Sequence, residues 1–400
     1  MARSIRGPEA RYGWAFITPA IVIIGLFLVL PIGLALWVSF SDWNGLGSPI
    51  GNSEFIGGEN YGSILVDDGL AQRDFGTSLR NNMYYVLLVV PLQTILALFL
   101  AVQVNNRLLK GKGFFRTAFY FPSVTSSIAI TTIFIFLFTG SGAVNQVLAF
   151  FGVNGPNWFA DPTGIIHNLL AAVGVTEPPA ALTDGGFLGV TWWSWLSGPS
   201  VAMCVIIILA VFTTSGTFML LFLAGLQNIG QEIEEAASMD GAGPWRTFFS
   251  VTLPLLKPTL FTVLTLGLIG TWQVFDQIYL TGGGAPSKTM LTPAFLAYQT
   301  SFEGLNWGEG AAISFILFLI IVFFTLLQRW VLRDRDEPRK GWFSRRRKPV
   351  DGSSGTGRDG GPDGARRRED DRAQITDART IVARGAAEDD ARDAREGATR

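Results

Sequence analysis

The fold class this chain predicts is an all-α polytopic membrane protein: six transmembrane helices with a helix–turn–helix loop on the cytoplasmic side. Three observations carry it. Six apolar runs are each long enough to cross a bilayer, which takes about 20 residues. Charged residues make up only 16% of the 400, against about 25% in soluble domains. Lys and Arg also alternate in density from one connecting loop to the next, as the positive-inside rule requires.

The first run, 14–40, is too long for a signal-peptide core and no clear small-x-small cleavage site follows it, so it reads as an uncleaved anchor. The second lies near 83–104, the third near 117–138 and the fourth near 201–223. The fifth lies near 260–280 and the sixth near 311–330. Pro31 and Pro91 fall inside spans, where neighbouring helices can re-satisfy the freed carbonyls; kinks without mechanism account for both.

Orientation follows from the cations. Arg3, Arg6 and Arg11 precede span one, and Arg107, Lys110, Lys112 and Arg116 follow span two. The segment 139–200 holds no Lys or Arg, whereas Arg333, Arg335, Arg339, Lys340 and the cluster 345–348 follow span six. Arg73, Arg80 and Lys288 run against the pattern without reversing it. Both termini and the segment between spans four and five therefore face the cytoplasm, and 41–82, 139–200 and 281–310 face outward. The organisation expected is a cytoplasmic N-terminus (1–13), a six-span body (14–332) containing the loop 226–258, and a cytoplasmic tail (333–400), first basic and then disordered. From Asp351 the tail is dense in Arg, Asp and Glu with almost no large apolar residue, too little to offset ordering entropy. The basic cluster suits anionic headgroups.

Much chemistry is excluded. One cysteine, Cys204, rules out an intrachain disulfide and a cysteine metal cluster. The single histidine, His167, reads as a solvated loop residue. No G-x-x-x-x-G-K-[ST] phosphate loop exists: Gly111-Lys-Gly113 and Gly282 to Gly284 read as turns. Nothing points to nucleic acid. In the outward loop, 145–151 and 165–173 suit short helices along the rim. Trp158, Trp192, Trp193 and Trp195 suit the headgroup level, or else a contact surface for an external protein.

Polar residues inside the spans are functional candidates, by weak extension from the rule for ionisable ones. They are Gln93, Ser126, Ser127, Thr213, Thr214 and Ser215, then Trp272, Gln273, Asp276 and Gln277 in span five. The last four combine an aromatic face with amides and a carboxylate, the chemistry that binds sugars. The plainer alternatives are hydroxyls bonding a backbone carbonyl or a neighbouring helix, and an Asp276 simply hydrated near its span end.

The loop 226–258 is the most specific feature. Residues 231–239 form a helix with Glu232, Glu234 and Glu235 at its positive end. Gly241-Ala-Gly243 breaks it, and Pro244 opens a second helix where its missing N–H costs nothing. Trp245, Phe248, Phe249 and Val251 make an apolar stripe, and Pro254 and Pro258 end it. Small residues at Ala236 and Ala237 allow another backbone to come close. A plain hairpin between spans would need nothing more.

The spacing resembles that of the inner-membrane permease subunits of bacterial binding-protein-dependent ABC importers. Their hallmark is Glu-Ala-Ala, three residues, Gly, nine residues, Ile-x-Leu-Pro. Here it reads Glu235, Ala236, Ala237, Gly241, Val251, Leu253 and Pro254, with Val for Ile the one departure. Leu223-Ala-Gly-Leu-Gln227 before it, Asp240-Gly-Ala242 within it and Leu253-Pro-Leu-Leu-Lys-Pro258 after it also fit. Phe275-Asp276 with Thr281-Gly-Gly-Gly-Ala-Pro286 and Thr289 resembles the carbohydrate branch, which usually has Gly-Gly-Pro; Ala285 is extra. The resemblance covers about residues 10–332 and leaves the tail unexplained.

The resemblance implies a coupling loop docked into a partner ATPase, with Glu235 at the socket, Ala236 and Ala237 packed closely, and Gly241 at the turn. It implies an ATP-binding subunit dimer that binds ATP and Mg, a second permease subunit, an extracytoplasmic solute-binding protein and a bacterial cell membrane around the whole. No cofactor is expected in this chain, and no ATPase chemistry of its own. The solute implied is a sugar or oligosaccharide, with polyols, phosphate esters and other solutes left open. Two other classes compete: an ion-coupled secondary transporter, which would show inverted repeats and mid-span ionisable groups, and a membrane anchor whose working part is the tail.

Overall fold

A computed structural model describes residues 8–106, 109–175 and 177–332. Arg3, Arg6, Arg107 and the whole region 333–400, including its basic cluster, lie outside them.

The first span is α1 (Pro8–Ile24), a π-helical turn (Gly25–Val29) and α2 (Leu30–Ser39). Leu30 N–H reaches back five residues to Gly25 O, loosening the helix just before Pro31. Only the far end of this span is packed: Val38 is buried, while Phe16 is 86% and Phe27 73% exposed. A short helix, α3 (Glu59–Leu65), leads into α4 (Leu70–Asn105). At 36 residues, α4 runs about 54 Å, against a hydrocarbon core of about 30 Å. Span two is therefore longer than expected, and Arg73 and Arg80 sit on it rather than in a loop. Its extension is polar yet buried, with Gln72, Ser78, Asn81 and Asn82 inside.

Span three is not one helix. α5 (Lys112–Val124) and α6 (Ser127–Leu137) meet at 94°. The break falls after Pro122, at Thr125 and Ser126, whose backbones are extended. Hydropathy registers apolar length and not direction, so the run 117–138 looked continuous. Among the described residues five helices are long and apolar enough to cross a membrane, and six spans result if this bent pair counts as one. Ser123 fixes the pair onto its neighbour by donating to Thr213 O at 2.6 Å and accepting from Thr217 N–H at 3.1 Å.

The outer segment carries α7 (Ala143–Phe150) and α8 (Ile165–Ala172), at the two places where short helices are expected. His167 differs from expectation: it lies on α8, half-buried, its ring stacked on Trp193 at 4.3 Å. α9 (Val201–Gln227) is the central span. Ser200 caps it by accepting Met203 N–H at 3.0 Å, which satisfies an orphan donor. α10 (Gln231–Met239) and α11 (Pro244–Thr247) form the helix–turn–helix loop, and α12 (Lys257–Trp272) returns along the bundle. After a break at 273–275 come α13 (Asp276–Leu280), α14 (Pro293–Tyr298), a π-helical turn (Gln299–Glu303) and α15 (Trp307–Val331).

The core has two main layers. One packs Phe75, Tyr85 and Val89 of α4 against Met203 and Ile206 of α9 and Phe295 of α14. The other packs Ala97, Ala101 and Val104 of α4 against Met219, Phe222 and Leu226 of α9, with Leu256 and Val263 closing it. At the second, α9 and the start of α12 come very close: a Cβ on Gly225 would lie 2.6 Å from Thr259 Oγ1.

Candidate functional site

Two regions stand apart from the packing, at opposite ends of the bundle's chemistry. The first is the loop. α10 ends in a left-handed glycine turn: Gly241 has φ +76°, Gly241 N–H donates to Ser238 O and Ala242 N–H to Ala237 O, each at 3.0 Å. That pair of bonds is the Schellman arrangement, which satisfies the helix's last carbonyls. A Cβ on Gly241 would meet nothing within 4 Å, so the position demands the backbone angle and not the space. Pro244 then occupies the first turn of α11, and a π-helical turn (Phe248–Thr252) carries the chain to Leu253 and Pro254.

The loop is anchored at its end and bare at its tip. Leu256 is 1% exposed in the core, Thr252 is buried, and Val251 and Leu253 are half-buried. Glu235, Ala236, Asp240, Gly241 and Pro254 are exposed and Ala237 is half-buried. Met239 is 88%, Trp245 76% and Phe249 57% exposed, and Trp245 stacks on Phe249 at 6.1 Å. Behind the loop a crevice of about 850 Å³ separates it from the ends of α4 and α9, lined by Val102, Asn105, Leu226, Ser238 and Phe248 among others.

The second region is a polar cavity of about 240 Å³ among α4, α9 and the break after α12. Gln93, Thr213, Thr214, Gln273, Asp276 and Gln277 line it, with Tyr85, Gly267 and Gly270. A neighbouring cavity of about 290 Å³ shares Thr213, Thr214 and Gln277 and adds Ser123, Ser127 and Thr217. Gln93 is wholly buried. Its Oε1 accepts from Thr214 at 2.6 Å, and its Nε2 has no partner. That amide fits because position 267 is glycine: a Cβ there would lie 2.5 Å from Nε2. Gln277 Nε2 reaches Ser127 Oγ at 3.5 Å across the bend of span three.

The structure thus brings together Gln273, Asp276 and Gln277 from the expected set, and with them Gln93, Ser127, Thr213 and Thr214. It does not bring Trp272. That ring is fully buried, stacked on Phe324 of α15 at 5.3 Å, and turned into the packing of Val86, Leu317 and Ile321. Aromatic chemistry next to amides suggested a sugar contact; the helical phase of α12 places Trp272 on the opposite face. Ser215 bonds its own helix at Phe212 O, 3.2 Å away, the plain alternative. Ser126 precedes α6 without a side-chain cap. Tyr85 went unnoticed because it reads as an ordinary apolar position on a span.

Residues 93–336 match the model of the family described as binding-protein-dependent transport system inner membrane component. The chain belongs to that family. The permease is 31% identical to the lactose transport system permease protein LacF of Rhizobium radiobacter, over 84% of this chain and 100% of that protein. It is 30% identical to the trehalose/maltose transport system permease protein MalF of Thermococcus litoralis, over 82% of this chain and 95% of that one. In fold it is similar to a bacterial ABC transporter involved in the import of the acidic polysaccharide alginate, with TM-score 0.61 and 18% identity over 82% of this chain and 98% of that one. The permease is thus a membrane subunit of an ABC importer and a transport component, not an enzyme. Family membership removes the ion-coupled and sensor alternatives.

Proposed function

We propose that the permease conducts sugars or oligosaccharides, delivered by an extracytoplasmic binding protein, and that loop 226–258 couples it to a partner ATPase. The bare tip of the loop carries the reading. A Schellman turn fixes the angle between α10 and α11, yet Glu235, Met239, Trp245 and Phe249 stand exposed. Three large apolar side chains beside a carboxylate suit a socket on a soluble protein, with Glu235 paired to a cation there and Ala236 and Ala237 allowing close approach. ATP and Mg belong to that partner; nucleotide-driven closure of an ATPase dimer would move the loop as one body and swing the spans. Both termini and this loop face the cytoplasm, and 41–82, 139–200 and 281–310 face outward.

The solute class rests on the relatives' lactose and trehalose/maltose names and on the cavity. Gln273, Asp276 and Gln277, with Gln93, Thr213 and Thr214 behind them, offer hydroxyl-reading groups to a neutral polyhydroxy solute. A second permease chain completes the pore. The first span supports this, since every described side chain of α1 from Tyr12 to Ile24 is exposed.

The test is co-purification in mild detergent of wild type and Glu235→Arg. Wild type should bring down a second permease chain and ATPase subunits with measurable ATP hydrolysis, and the variant should keep the permease while losing the ATPase. An ATPase retained by Glu235→Arg would place docking elsewhere. A chain that purifies alone in both forms would sink the assembly.

A further inference from the structure

A row of aromatic rings leads away from the polar cavity toward the end of the bundle opposite the coupling loop. Phe275 lines the cavity beside Asp276. Its ring lies 5.8 Å from Tyr279 and meets Tyr298 edge-on at 5.3 Å, centroid to centroid. Tyr298 stacks on Phe302 at 5.0 Å, Phe302 meets Trp307 at 4.8 Å, and Trp307 meets Trp43 at 5.7 Å. Each step is close to the length of one pyranose unit. Two of the steps, Phe275–Tyr279 and Tyr298–Phe302, join residues four apart in sequence, as helical periodicity provides; the others join separate stretches, the break after α12 to α14, the π-helical turn to the start of α15, and α15 to the loop after the first span.

Packing accounts for the inner rings, Phe275 and Tyr298, which lie against the core, but not for the outer ones. Phe295, 2% exposed, backs the row from inside the core, whereas Tyr279 is 50% and Phe302 57% exposed. Here the exposed rings adjoin hydrogen-bonding groups: Asp276, Glu303 and Asn306 are exposed alongside, and Asn306 is held by Glu309 at 2.7 Å. Aromatic faces rimmed by amides and carboxylates are the complement of a pyranose, whose C–H faces pack on rings while its hydroxyls seek polar edges.

We propose that this row is a carbohydrate-binding track that holds the apolar faces of sugar rings between their delivery and the cavity at Asp276 and Gln277. It deepens the sugar reading and rests on it. Phe275 and Tyr298 set the mouth of the cavity; Tyr279 and Phe302 are the exposed platforms; Trp307 and Trp43 are the far end.

The experiment measures uptake of radiolabelled lactose and maltotriose by cells carrying the complete importer. Phe302→Leu keeps apolar bulk and removes the ring, and Tyr279→Ala/Phe302→Ala removes both platforms. Both should raise the KM for at least one probe about three- to tenfold, the range that loss of an aromatic contact gives, and Phe302→Trp should restore it. Phe150→Ala, an 86% exposed aromatic elsewhere in the chain, should change nothing. Wild-type uptake with unchanged KM in Phe302→Leu and in the double variant would overturn the track and leave the sugar reading standing. A wild-type importer that takes up neither probe, nor any member of a panel of labelled mono-, di- and oligosaccharides, would overturn both.

Discussion

At the scale of single residues, Gly241 shows how a short motif converts into a physical requirement. Its φ of +76° lies where a side chain costs roughly 1–2 kcal/mol unless the residue is Asn or Asp, which tolerate that region. Its N–H is also committed to Ser238 O at 3.0 Å. Three substitutions separate these demands. Gly241→Asn keeps angle and donor and should retain near-normal transport. Gly241→Val strains the turn and should lower it. Gly241→Pro removes the donor and forces φ to about −65°, and it should abolish transport while the protein still inserts at wild-type levels. Uptake measured beside membrane abundance checks the order; equal loss in all three would mean that the turn angle is not what matters. Glu235, by contrast, is exposed near the start of α10, where a carboxylate complements the helix dipole without entering the core.

At the scale of elements, α4 organises the molecule. Its polar extension carries both large loops at the far end of the bundle. Asn81 donates to Lys288 O at 2.8 Å and to Leu291 O at 3.0 Å, and Arg80 donates to Ser194 O at 3.3 Å. Asp74 pairs with Lys288 at 2.6 Å, and Tyr84 donates to Trp195 O. The buried Asn81 is the strongest of these ties, because losing it strands the carbonyl of the buried Leu291 at about 1–3 kcal/mol and leaves Lys288 O with only the Leu291 N–H at 3.2 Å. Asn81→Leu should therefore free the segment around Lys288, and trypsin should cut after Lys288 at least several-fold faster than in wild type; an unchanged cutting rate would mean that the backbone holds itself. None of this was legible in the sequence. Apolar runs marked where spans lie to within a few residues, since burial in lipid and length are one-dimensional properties. The start of α4 was hidden because its extension is polar and protected by other loops rather than by lipid. The bend of span three was hidden because Pro122 and the extended Thr125 and Ser126 change direction without changing hydropathy. The loop 226–258 was the opposite case: Gly241 and Pro244 announce a turn by their own chemistry, and the structure places one there. The cavity was half legible. Residue types named Gln273, Asp276 and Gln277, but the phase of α12 decided that Trp272, next in line, belongs to the core.

At the scale of the whole molecule, the distribution of burial states what the chain lacks. α9 has 56% of its most apolar window buried, and the first span has 6%. In a bilayer an exposed apolar helix carries no penalty by itself, because lipid tails are as apolar as leucine. The geometry is what distinguishes a partner from lipid. α2 packs on α15, while a groove of about 430 Å³ lies open on α12 and α15, lined by Ile269, Leu317, Phe318 and Thr325 among others. A second permease helix of similar kind would fill that groove, while α1 would lie on the second permease in exchange. Gly13 and Gly25, where a Cβ would meet nothing within 4 Å, leave room for a close helix crossing. With Cys204 replaced by serine, Phe16→Cys or Ile24→Cys, alkylated with a short photoactivatable thiol reagent, should crosslink on illumination to the second permease chain in native membranes, and Phe318→Cys should do the same. Crosslinks from α1 to Phe318 within one chain would instead mean that α1 closes onto its own bundle. Labelling of all three positions by a lipid-soluble alkylating reagent, without any interchain product, would give the groove to lipid and require the pore to close along another face.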